Sequence, residues 1–248
     1  SKSGSSVLEY NNEGYFFRGQ YDYDNRIYVS GSYRRDASSR FHPDHRWGNF
    51  WSAGAAWIIS HENWFDVSWV DMLKVKASYG SQGNDNLGSK AETFYRYVDY
   101  REILSSGSGV TSTLFRKGNP DITWETNANL NIGVEFGLWD NRLSGGIDFF
   151  NRKTSDMLFE LATPLEAGYT SIFTNIGDMV NRGIEIELNA DLIRTKNLVW
   201  DFSLNMTHYK NKLVKLPVQY KNNTTADGKH VGRQQSTKFL TEGESVFS

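Results

Sequence analysis

The sequence predicts an all-β protein built as an antiparallel, up-and-down sheet, and three observations support this fold class. Apolar and polar side chains alternate with a period of two along eight segments, as on strands that separate two environments. Aromatic residues make up 15% of the chain, which holds 22 Gly but only 4 Pro, a composition that suits strands and turns. The connections between the segments are alternately short and long, so the short ones all lie at one end of the sheet.

The eight predicted strands differ in how clearly they alternate. The clearest lies in 122–138, where Leu130, Ile132 and Val134 oppose Asn129 and Asn131. Helical periodicity is weak throughout the chain, so no helix is predicted. The predicted strands are residues 15–23, 26–35, 49–58, 72–82, 122–138, 142–153, 181–193 and 198–209.

The segment NRGIEIELNADL (181–192) shows the question that this alternation leaves open. Its apolar face consists of Ile184, Ile186, Leu188, Ala190 and Leu192, and its polar face of Glu185, Glu187, Asn189 and Asp191. In a soluble sheet the apolar face would cover a core and the acids would face water. In a membrane barrel the apolar face would contact lipid and the acids would line a hydrated lumen.

The lengths of the connections favour the membrane barrel over a soluble sandwich. Tight turns are predicted at Asp24–Asn25, Asp140–Asn141 and 194–197, all at one end. The other end carries a loop of about 39 residues, from Gly83 to Asp121, and a second long loop near 154–178, and such lengths are unusual in compact soluble domains. Short turns on one side and long loops on the other are typical of outer-membrane barrels.

Large aromatic side chains lie near the ends of the predicted strands. Tyr33 and Tyr79 lie toward the long loops, and Trp139, Trp200 and Phe202 lie toward the short turns. Two belts of amphipathic rings at the two interfaces of a membrane have this arrangement. A soluble sandwich whose core aromatics occupy these positions stays the alternative.

Charge and cysteine content exclude several classes of protein. The net charge is −2, the pI is about 6.2 and the 27 basic residues are scattered, so no nucleic-acid partner is expected. The absence of Cys excludes disulfide scaffolds, thiol catalysis and Cys-ligated metals. No apolar run of about 18 residues occurs, which excludes a transmembrane helix but not barrel strands of about 9–11 residues.

The candidate reactive groups do not form an active site. Glu185 and Glu187 are two positions apart on one strand face, so their carboxylates approach to about 6–7 Å, a separation known from glycoside hydrolases. One strand supplies no substrate cleft, however, and alternating acids are expected on a hydrated wall. The HPDH stretch brings His42, Asp44 and His45 together without a further metal ligand. Phosphate-binding and nucleophile-elbow motifs are missing, so the sequence predicts no enzyme, catalytic residue, metal or cofactor.

Candidate substrate-binding residues lie in the stretch FYRYVDYRE (94–102). Phe94, Tyr95, Tyr97 and Tyr100 are interleaved with charged side chains, and aromatic planes with polar neighbours suit sugar rings and peptides alike. The alternative is that this segment is a strand that projects above the membrane and packs on its neighbours. The residues predicted to face the lumen are Asn127, Asn129, Asn131, Glu185, Glu187 and Asn189.

Five long blocks carry a family resemblance: SYRRDASSRF (32–41), RWGNFWSAGAAWIIS (46–60), LKVKASYGSQGN (73–84), NPDITWETNANLNIGVEFGLWDNRLSGGIDFFNRKTSDMLF (119–159) and NIGDMVNRGIEIELNADL (175–192). They resemble consecutive barrel segments of SusC/RagA-type TonB-dependent outer-membrane transporters. EGES (242–245) is similar to a later EGEP-like turn of that family. Order and spacing match along nearly the whole chain, which makes the resemblance specific. Within the blocks, Gly83 and Gly183 are expected to serve a positive φ or a bulge.

The resemblance implies an antiparallel up-and-down transmembrane β-barrel of about 22 strands, closed by a plug. Residues 1–248 are expected to be a fragment of that barrel domain with about eight or nine strands, while the plug domain and TonB box lie outside it. The implied location is the outer membrane of a Bacteroidetes-type bacterium.

The resemblance also implies a function and partners. The function is TonB-dependent import of a nutrient, an oligosaccharide or a peptide. The implied partners are a SusD-like lipoprotein, the TonB–ExbB–ExbD complex acting through an N-terminal region, outer-membrane lipid and the cargo itself. A siderophore or metal-chelate receptor and a soluble β-rich carbohydrate-binding module are the alternatives.

Overall fold

The computed structural model describes residues 9–86, 95–106, 109–216, 233–235 and 238–245, most of which lie in β-strands. Within these residues, no helix is long and apolar enough to cross a membrane. The strands in chain order are β1 (Asn12–Tyr23), β2 (Ile27–Ser38), β3 (Trp47–Ile58), β4 (Val70–Asn84), β5 (Tyr100–Ser106), β6 (Gly109–Lys117), β7 (Glu125–Leu138), β8 (Leu143–Ser155), β9 (Leu158–Ala162), β10 (Ser171–Asn175), β11 (Asp178–Arg194), β12 (Val199–Lys215), β13 (Arg233–Gln235) and β14 (Lys238–Leu240).

The main sheet contains all eight strands that the alternation predicts. Their order is β1-β2-β3-β4-β7-β8-β11-β12, and every neighbouring pair is antiparallel. Each strand therefore pairs with its sequence neighbour once the long loops are set aside. The predicted all-β, antiparallel, up-and-down arrangement is confirmed.

The end of β12 differs from the prediction. The predicted strand ended at residue 209, but β12 continues to Lys215. The alternation persists there, with Leu213 buried on one face. On the other face, Lys210 and Lys212 replace the apolar residues, so the hydropathy signal ends before the strand does.

The two long loops contain strands of their own, which the sequence analysis did not predict. β5, β6, β10 and β9 form a second sheet in that order, in which β6 and β10 are parallel and the other pairs antiparallel. We call residues 39–46, 95–106, 109–124 and 156–177 the loop tier. All of them lie at the same end of the main sheet, opposite the short turns.

Two of the predicted short turns have the backbone of tight β-hairpins. Asp24 and Asn25 have φ of 53° and 51°, and Trp139, Asp140 and Asn141 have φ of 56°, 58° and 56°. Consecutive left-handed residues match the right-handed twist of the flanking strands. Asp and Asn tolerate this conformation better than most residues, which is why the turns could be predicted from the sequence.

The register gives the main sheet an apolar outer face and a polar inner face. Ile184 of β11 lies opposite Phe149 of β8, and Ile186 lies opposite Ile147. These outer side chains remain open, since Phe149 is 40% exposed and Ile147 is 49% exposed. The next residues along each strand alternate onto the inner face.

Aromatic pairs border the outer face at both ends. Toward the loop tier, the ring centroids of Trp51 and Tyr79 are 5.4 Å apart. Toward the short turns, Trp69 stacks on Trp139 with centroids 6.0 Å apart. The structure thus places rings at the two ends where the sequence predicted them.

The prediction that Gly83 and Gly183 serve a positive φ or a β-bulge is wrong. Neither residue has a positive φ, and the register shows no bulge at either position. A Cβ on Gly83 would lie 2.0 Å from Cζ of Phe50, and a Cβ on Gly183 would lie 2.8 Å from Cζ of Phe150. Each of these glycines therefore leaves space for an aromatic ring from another strand.

Candidate functional site

The inner face of the main sheet is the first candidate site, because side chains from many strands converge on it. One open cavity of about 750 Å³ reaches from Asp22 on β1 to Glu185 on β11. A second cavity, of about 700 Å³, lies nearer the loop tier. Cavities that cross so many strands require a concave inner face, as in the wall of a barrel.

Three predicted lumen residues, Asn127, Asn129 and Asn131, line the second cavity together. Thr154 Oγ1 donates to Asn127 Oδ1 at 2.6 Å, and Asn127 Nδ2 donates to a Glu125 carboxylate oxygen at 3.5 Å. Carboxamides offer donors and acceptors, so this row can bind polar groups of a passing molecule. That the inner face is a lumen stays a prediction.

A charge network lies on the inner face closer to the short turns. Lys76 Nζ is 2.8 Å from Glu135 Oε1 and 3.0 Å from Asp148 Oδ1, and Lys74 Nζ is 3.0 Å from Glu135 Oε2. Gly133 lies between Lys76 and Asp148 in the register, and a Cβ there would come within 2.1 Å of Asp148 Oδ1. The glycine therefore lets an ion pair cross from β4 to β8 over the middle strand.

The sequence analysis missed this charge network. Its lysines are at least 59 positions from its carboxylates in the sequence (135 − 76 = 59), and single-strand alternation assigns a face without assigning partners. Only the pairing of Lys74 with Glu135, and of Gly133 with Asp148, brings them together.

The other predicted lumen residues lie on β11 beside that network. Glu185 is directly opposite Asp148 in the register. Glu187 accepts a hydrogen bond from Asn189 Nδ2 at 3.2 Å, and Asn189 Oδ1 accepts one from Ser203 Oγ at 2.7 Å. The structure thus brings all six predicted residues onto the polar face, in two groups on β7 and β11.

The loop tier is the second candidate site, and it has a buried core of its own. Phe41 and Ile122 are 0% exposed and Phe173 is 6% exposed, although they come from three different loops. Trp124 joins them, with its ring centroid 5.3 Å from that of Phe41, and donates from Nε1 to the Arg46 carbonyl at 2.9 Å. The three loops therefore form one packed unit.

One carboxamide ties two of these loops together. Asn175 Nδ2 donates to the carbonyl oxygens of Thr123 at 2.8 Å and Asp156 at 2.9 Å. Its Oδ1 accepts the backbone N–H of Thr123 at 2.8 Å. Asn175 thereby satisfies backbone groups that would otherwise lack partners between the loops.

The predicted substrate-binding aromatics do not form one platform. Tyr95 is exposed, donates from its hydroxyl to the Glu9 carbonyl at 3.1 Å and meets Tyr97 edge-on, with centroids 6.3 Å apart. Tyr100 lies on β5 against Phe115, at 6.0 Å. Phe94 lies outside the described residues. Tyr95 and Tyr97 therefore form one group and Tyr100 belongs to another, and cargo binding by any of them stays a prediction.

A buried arginine beside these tyrosines escaped the sequence analysis. Arg96 is 1% exposed, with its guanidinium carbon 3.6 Å from the ring centroid of Phe173. Arg116 lies over the same ring at 5.0 Å. Burial, and next the neighbouring Arg116 charge, lower the pKa of Arg96 to about 9. The only sequence signal for Arg96 is weak: in an extended chain, Arg96 faces the side opposite to its neighbours Tyr95 and Tyr97.

The Asp99 carboxylate joins the segment that carries Tyr95 and Tyr97 to the end of β6. Asp99 Oδ1 accepts the Gly118 backbone N–H at 2.9 Å and lies 3.2 Å from Lys117 Nζ. That backbone hydrogen bond, together with Lys117, lowers the pKa of Asp99 below its ordinary value. A Cβ on Gly118 would lie 2.4 Å from the Val98 carbonyl carbon, so the two chain segments touch at backbone level.

The HPDH stretch does not gather its polar groups around one point. His42 Nδ1 lies 3.3 Å from Asp44, whereas His45 Nε2 lies 3.7 Å from Asp121. Across the part of the chain that the structure describes, no group of three or more His, Cys, Asp or Glu side chains is arranged to hold a metal ion.

The chain is similar to known proteins in both sequence and structure. A family described as "TonB dependent receptor-like, beta-barrel" matches residues 2–239. TonB-dependent receptor SusC of Bacteroides thetaiotaomicron is 37% identical over 207 residues, covering 82% of this chain and 21% of the relative. TonB-dependent receptor P3 of Formosa agariphila is 33% identical over 242 residues, covering 94% of this chain and 23% of the relative.

Solved structures agree with the sequence relatives. The RagAB peptide importer in its "closed-closed" state superposes with a TM-score of 0.79 at 28% identity, over 92% of this chain and 25% of that one. The FrpB iron transporter of Neisseria meningitidis has a TM-score of 0.56 at 15% identity, over 85% of this chain and 26% of that one, a likeness of fold alone. The chain thus spans about a quarter or less of the length of these proteins.

Proposed function

The chain belongs to the TonB-dependent receptors, as part of a β-barrel of the SusC/RagA type, and from that premise we propose that the whole protein imports an oligosaccharide or a peptide across the outer membrane. Such receptors are outer-membrane β-barrels, so the alternative of a soluble binding module is dropped. A SusD-like lipoprotein and the TonB–ExbB–ExbD complex are the proposed partners, and a Bacteroidetes-type bacterium is the proposed host. The plug domain and TonB box are proposed to lie in other parts of the protein.

The observation that carries the proposal is the division of one sheet into two unlike faces. The outer face exposes apolar side chains between two aromatic borders, as lipid requires. Trp47 and Trp57 lie at opposite ends of β3, separated by roughly 33 Å along the strand. At the tilt of barrel strands this corresponds to about 25 Å of membrane, the height of the apolar band of outer-membrane barrels.

The inner face supports transport of a polar cargo. The row of carboxamides at Asn127, Asn129 and Asn131 offers hydrogen bonds without a fixed charge. The neighbouring network of Lys76, Asp148 and Glu185 presents both signs of charge. Sugar hydroxyls and peptide groups can both exchange hydrogen bonds with such a wall, whereas an apolar cargo cannot.

Uptake by cells tests the proposal. The full-length protein is expressed in a strain that lacks it, and uptake of labelled oligosaccharides and labelled peptides is compared with and without functional TonB. We expect TonB-dependent uptake of one cargo class, and co-purification of a SusD-like lipoprotein. Uptake of an iron chelate instead would favour the siderophore alternative, and outer-membrane fractions without the protein would refute the proposal.

A further inference from the structure

The outer face changes from apolar to cationic at the loop-tier end of β8, β11 and β12. On β12, His208, Lys210 and Lys212 follow Met206 on the same face, and on β11 Arg182 follows Ile184. On β8, Lys153 shares this face with Phe149. We call Lys153, Arg182, Lys210 and Lys212 the cationic rim. All four are exposed.

The register places like charges beside each other within the cationic rim. Arg182 is directly opposite Lys210, and Val180 lies between Lys153 and Lys212 in the next row. Like charges that face each other across two strands are destabilising. Lys153 Nζ lies 3.7 Å from Asp178. Among the described residues, no carboxylate forms an ion pair with Arg182, Lys210 or Lys212.

The height of the cationic rim corresponds to the edge of the apolar band. The row immediately below it holds Ile132, Phe149 and Ile184 in direct register. Two residues along a strand span roughly 7 Å, so the charged heads begin within one row of the last apolar contacts. Basic side chains on the lipid face destabilise a barrel at mid-membrane but scarcely at the interface, and their long stems can cover apolar surface while the charges reach the headgroups.

The other half of the sheet differs at this level. On β3 and β4 the outer face ends in rings, Trp51 and Tyr79, and the one outward cation, Arg35 on β2, stacks on Trp47 at 4.8 Å. Those rings suit the interface of any membrane. The cationic rim, in contrast, would be stabilised by a bound anion, because its like charges repel each other.

We propose that the cationic rim binds the phosphate groups of anionic lipid headgroups in the leaflet on the loop-tier side. A phosphate between Arg182 and Lys210 accepts hydrogen bonds from both, the guanidinium offering two parallel N–H groups. Clusters of basic residues at the membrane surface recognise phosphorylated lipid headgroups in this way. The inference rests on the outer-membrane placement under the proposed function, but not on the identity of the cargo.

Binding to defined lipid tests the inference. The full-length protein in neutral-lipid nanodiscs is titrated with a fluorescent phosphorylated glycolipid, with the same glycolipid after enzymatic removal of its phosphates, and with inorganic phosphate as competitor. The variant is Arg182→Gln/Lys210→Gln/Lys212→Gln. The control is Arg142→Gln/Arg194→Gln/Lys196→Gln, which removes three charges at the short-turn end.

Each removed cation should weaken binding about fivefold, so the rim variant should bind on the order of 100-fold more weakly than wild type. The control should bind within about twofold of wild type, and the dephosphorylated glycolipid should bind as weakly to wild type as the phosphorylated one does to the rim variant. Equal binding by both triple variants, or equal binding of both lipids, would overturn the inference, as would full displacement by equimolar inorganic phosphate.

Two further measurements keep the result interpretable. Should the triple variant fail to assemble, Lys210→Gln/Lys212→Gln and the salt dependence of wild-type binding give the same decision, since a bound phosphate must weaken with salt. Cargo uptake by the rim variant separates this inference from the proposed function. Loss of lipid binding by the rim variant with normal uptake supports both proposals, whereas normal lipid binding by the wild type without TonB-dependent uptake refutes the function alone.

Discussion

The main sheet, which we call the wall, and the loop tier are two regions that place the same kinds of side chain in opposite environments. Phe149 on the outer face of the wall is 40% exposed, whereas Phe173 in the loop tier is 6% exposed. The exposure of polar side chains differs between the two regions as well. Asn127 and Asn131 line an open cavity of the wall, whereas Arg96 is 1% exposed within the tier. The wall therefore exposes apolar side chains on its outer face and polar ones on its inner face, whereas the tier buries its apolar side chains among its own loops.

This contrast shows that burial has to be judged against the solvent of each region. Loss of apolar contact with water is the driving force in the tier, and it comes from packing between loops. On the outer face of the wall, lipid takes that role, so an exposed ring needs no protein neighbour. A phenylalanine therefore contributes to stability through protein contacts in the tier, but through contact with lipid on the outer face of the wall.

The sharpest test of the contrast makes one substitution in both regions. Phe173→Ala should destabilise the tier by about 3–5 kcal/mol, because it removes a buried ring and leaves a cavity. Phe149→Ala should leave the tier unchanged, since lipid fills the space beside the wall. Hydrogen exchange of the β9 and β10 amides in nanodiscs measures both. Equal loss of protection in the two variants would contradict the division into regions.

The next test concerns the two faces of one strand. Ile186→Lys should impair barrel insertion by about 2–4 kcal/mol, because it places a cation on the lipid face. Glu187→Gln keeps the size of its side chain on the inner face and should scarcely affect assembly. Folding titrations into lipid vesicles give both values. If the two variants assembled equally well, the assignment of the faces would be wrong.

A third test addresses close packing on the inner face. Gly133→Ala should destabilise the wall by about 1–3 kcal/mol, since its Cβ would press on Asp148 and on the stem of Lys76. Gly19→Ala is the matched control, because a Cβ there meets nothing within 4 Å. Thermal unfolding in detergent, followed by circular dichroism, compares them. A control as unstable as Gly133→Ala would show that backbone freedom, not space, is the reason for the glycine.

The smallest expected effect is a pH dependence confined to the tier. The Gly118 N–H and Lys117 lower the pKa of Asp99 in the folded state, so its contribution is complete above the ordinary value of 3.8 and is lost as the pH falls through the lower folded value. Solvent screening keeps this below about 1 kcal/mol.

Hydrogen exchange of the Gly118 amide, corrected for its intrinsic rate, should lose protection below about pH 4 in the wild type. In Asp99→Asn the protection should be lower at pH 6 and independent of pH over this range. An unchanged pH response in that variant would exclude Asp99 as the titrating group.

The alternation alone was sufficient for the wall, because a strand between lipid and water repeats its pattern along every residue pair. Leu130, Ile132 and Val134 against Asn129 and Asn131 show this, and the register confirms the pairing. The pattern failed where the environment changes along a strand. Beyond His208 the outer face of β12 turns cationic, so the strand continues without its apolar signal.

The loop tier could not be predicted in the same way. β9 and β10 are five residues each, too short for a clear period, and their pairing with each other and with β6 depends on contacts between loops that are distant in sequence. The aromatics of the stretch 94–102 were predicted to bind cargo, which stays a prediction. Their division between two groups follows from where Arg96 is buried.

The sequence by itself determined the eight wall strands, their up-and-down order, the short turns at one end and the family. These depend on local period, on turn residues such as Asp24 and Asn25, and on long blocks that match in order. Tertiary structure alone decided the ion pair across Gly133, the rings over Gly83 and Gly183, the loop core around Phe173 and the row of cations on the outer face. Each of these arises where side chains from different strands meet, and a period along one strand carries no information about its neighbours.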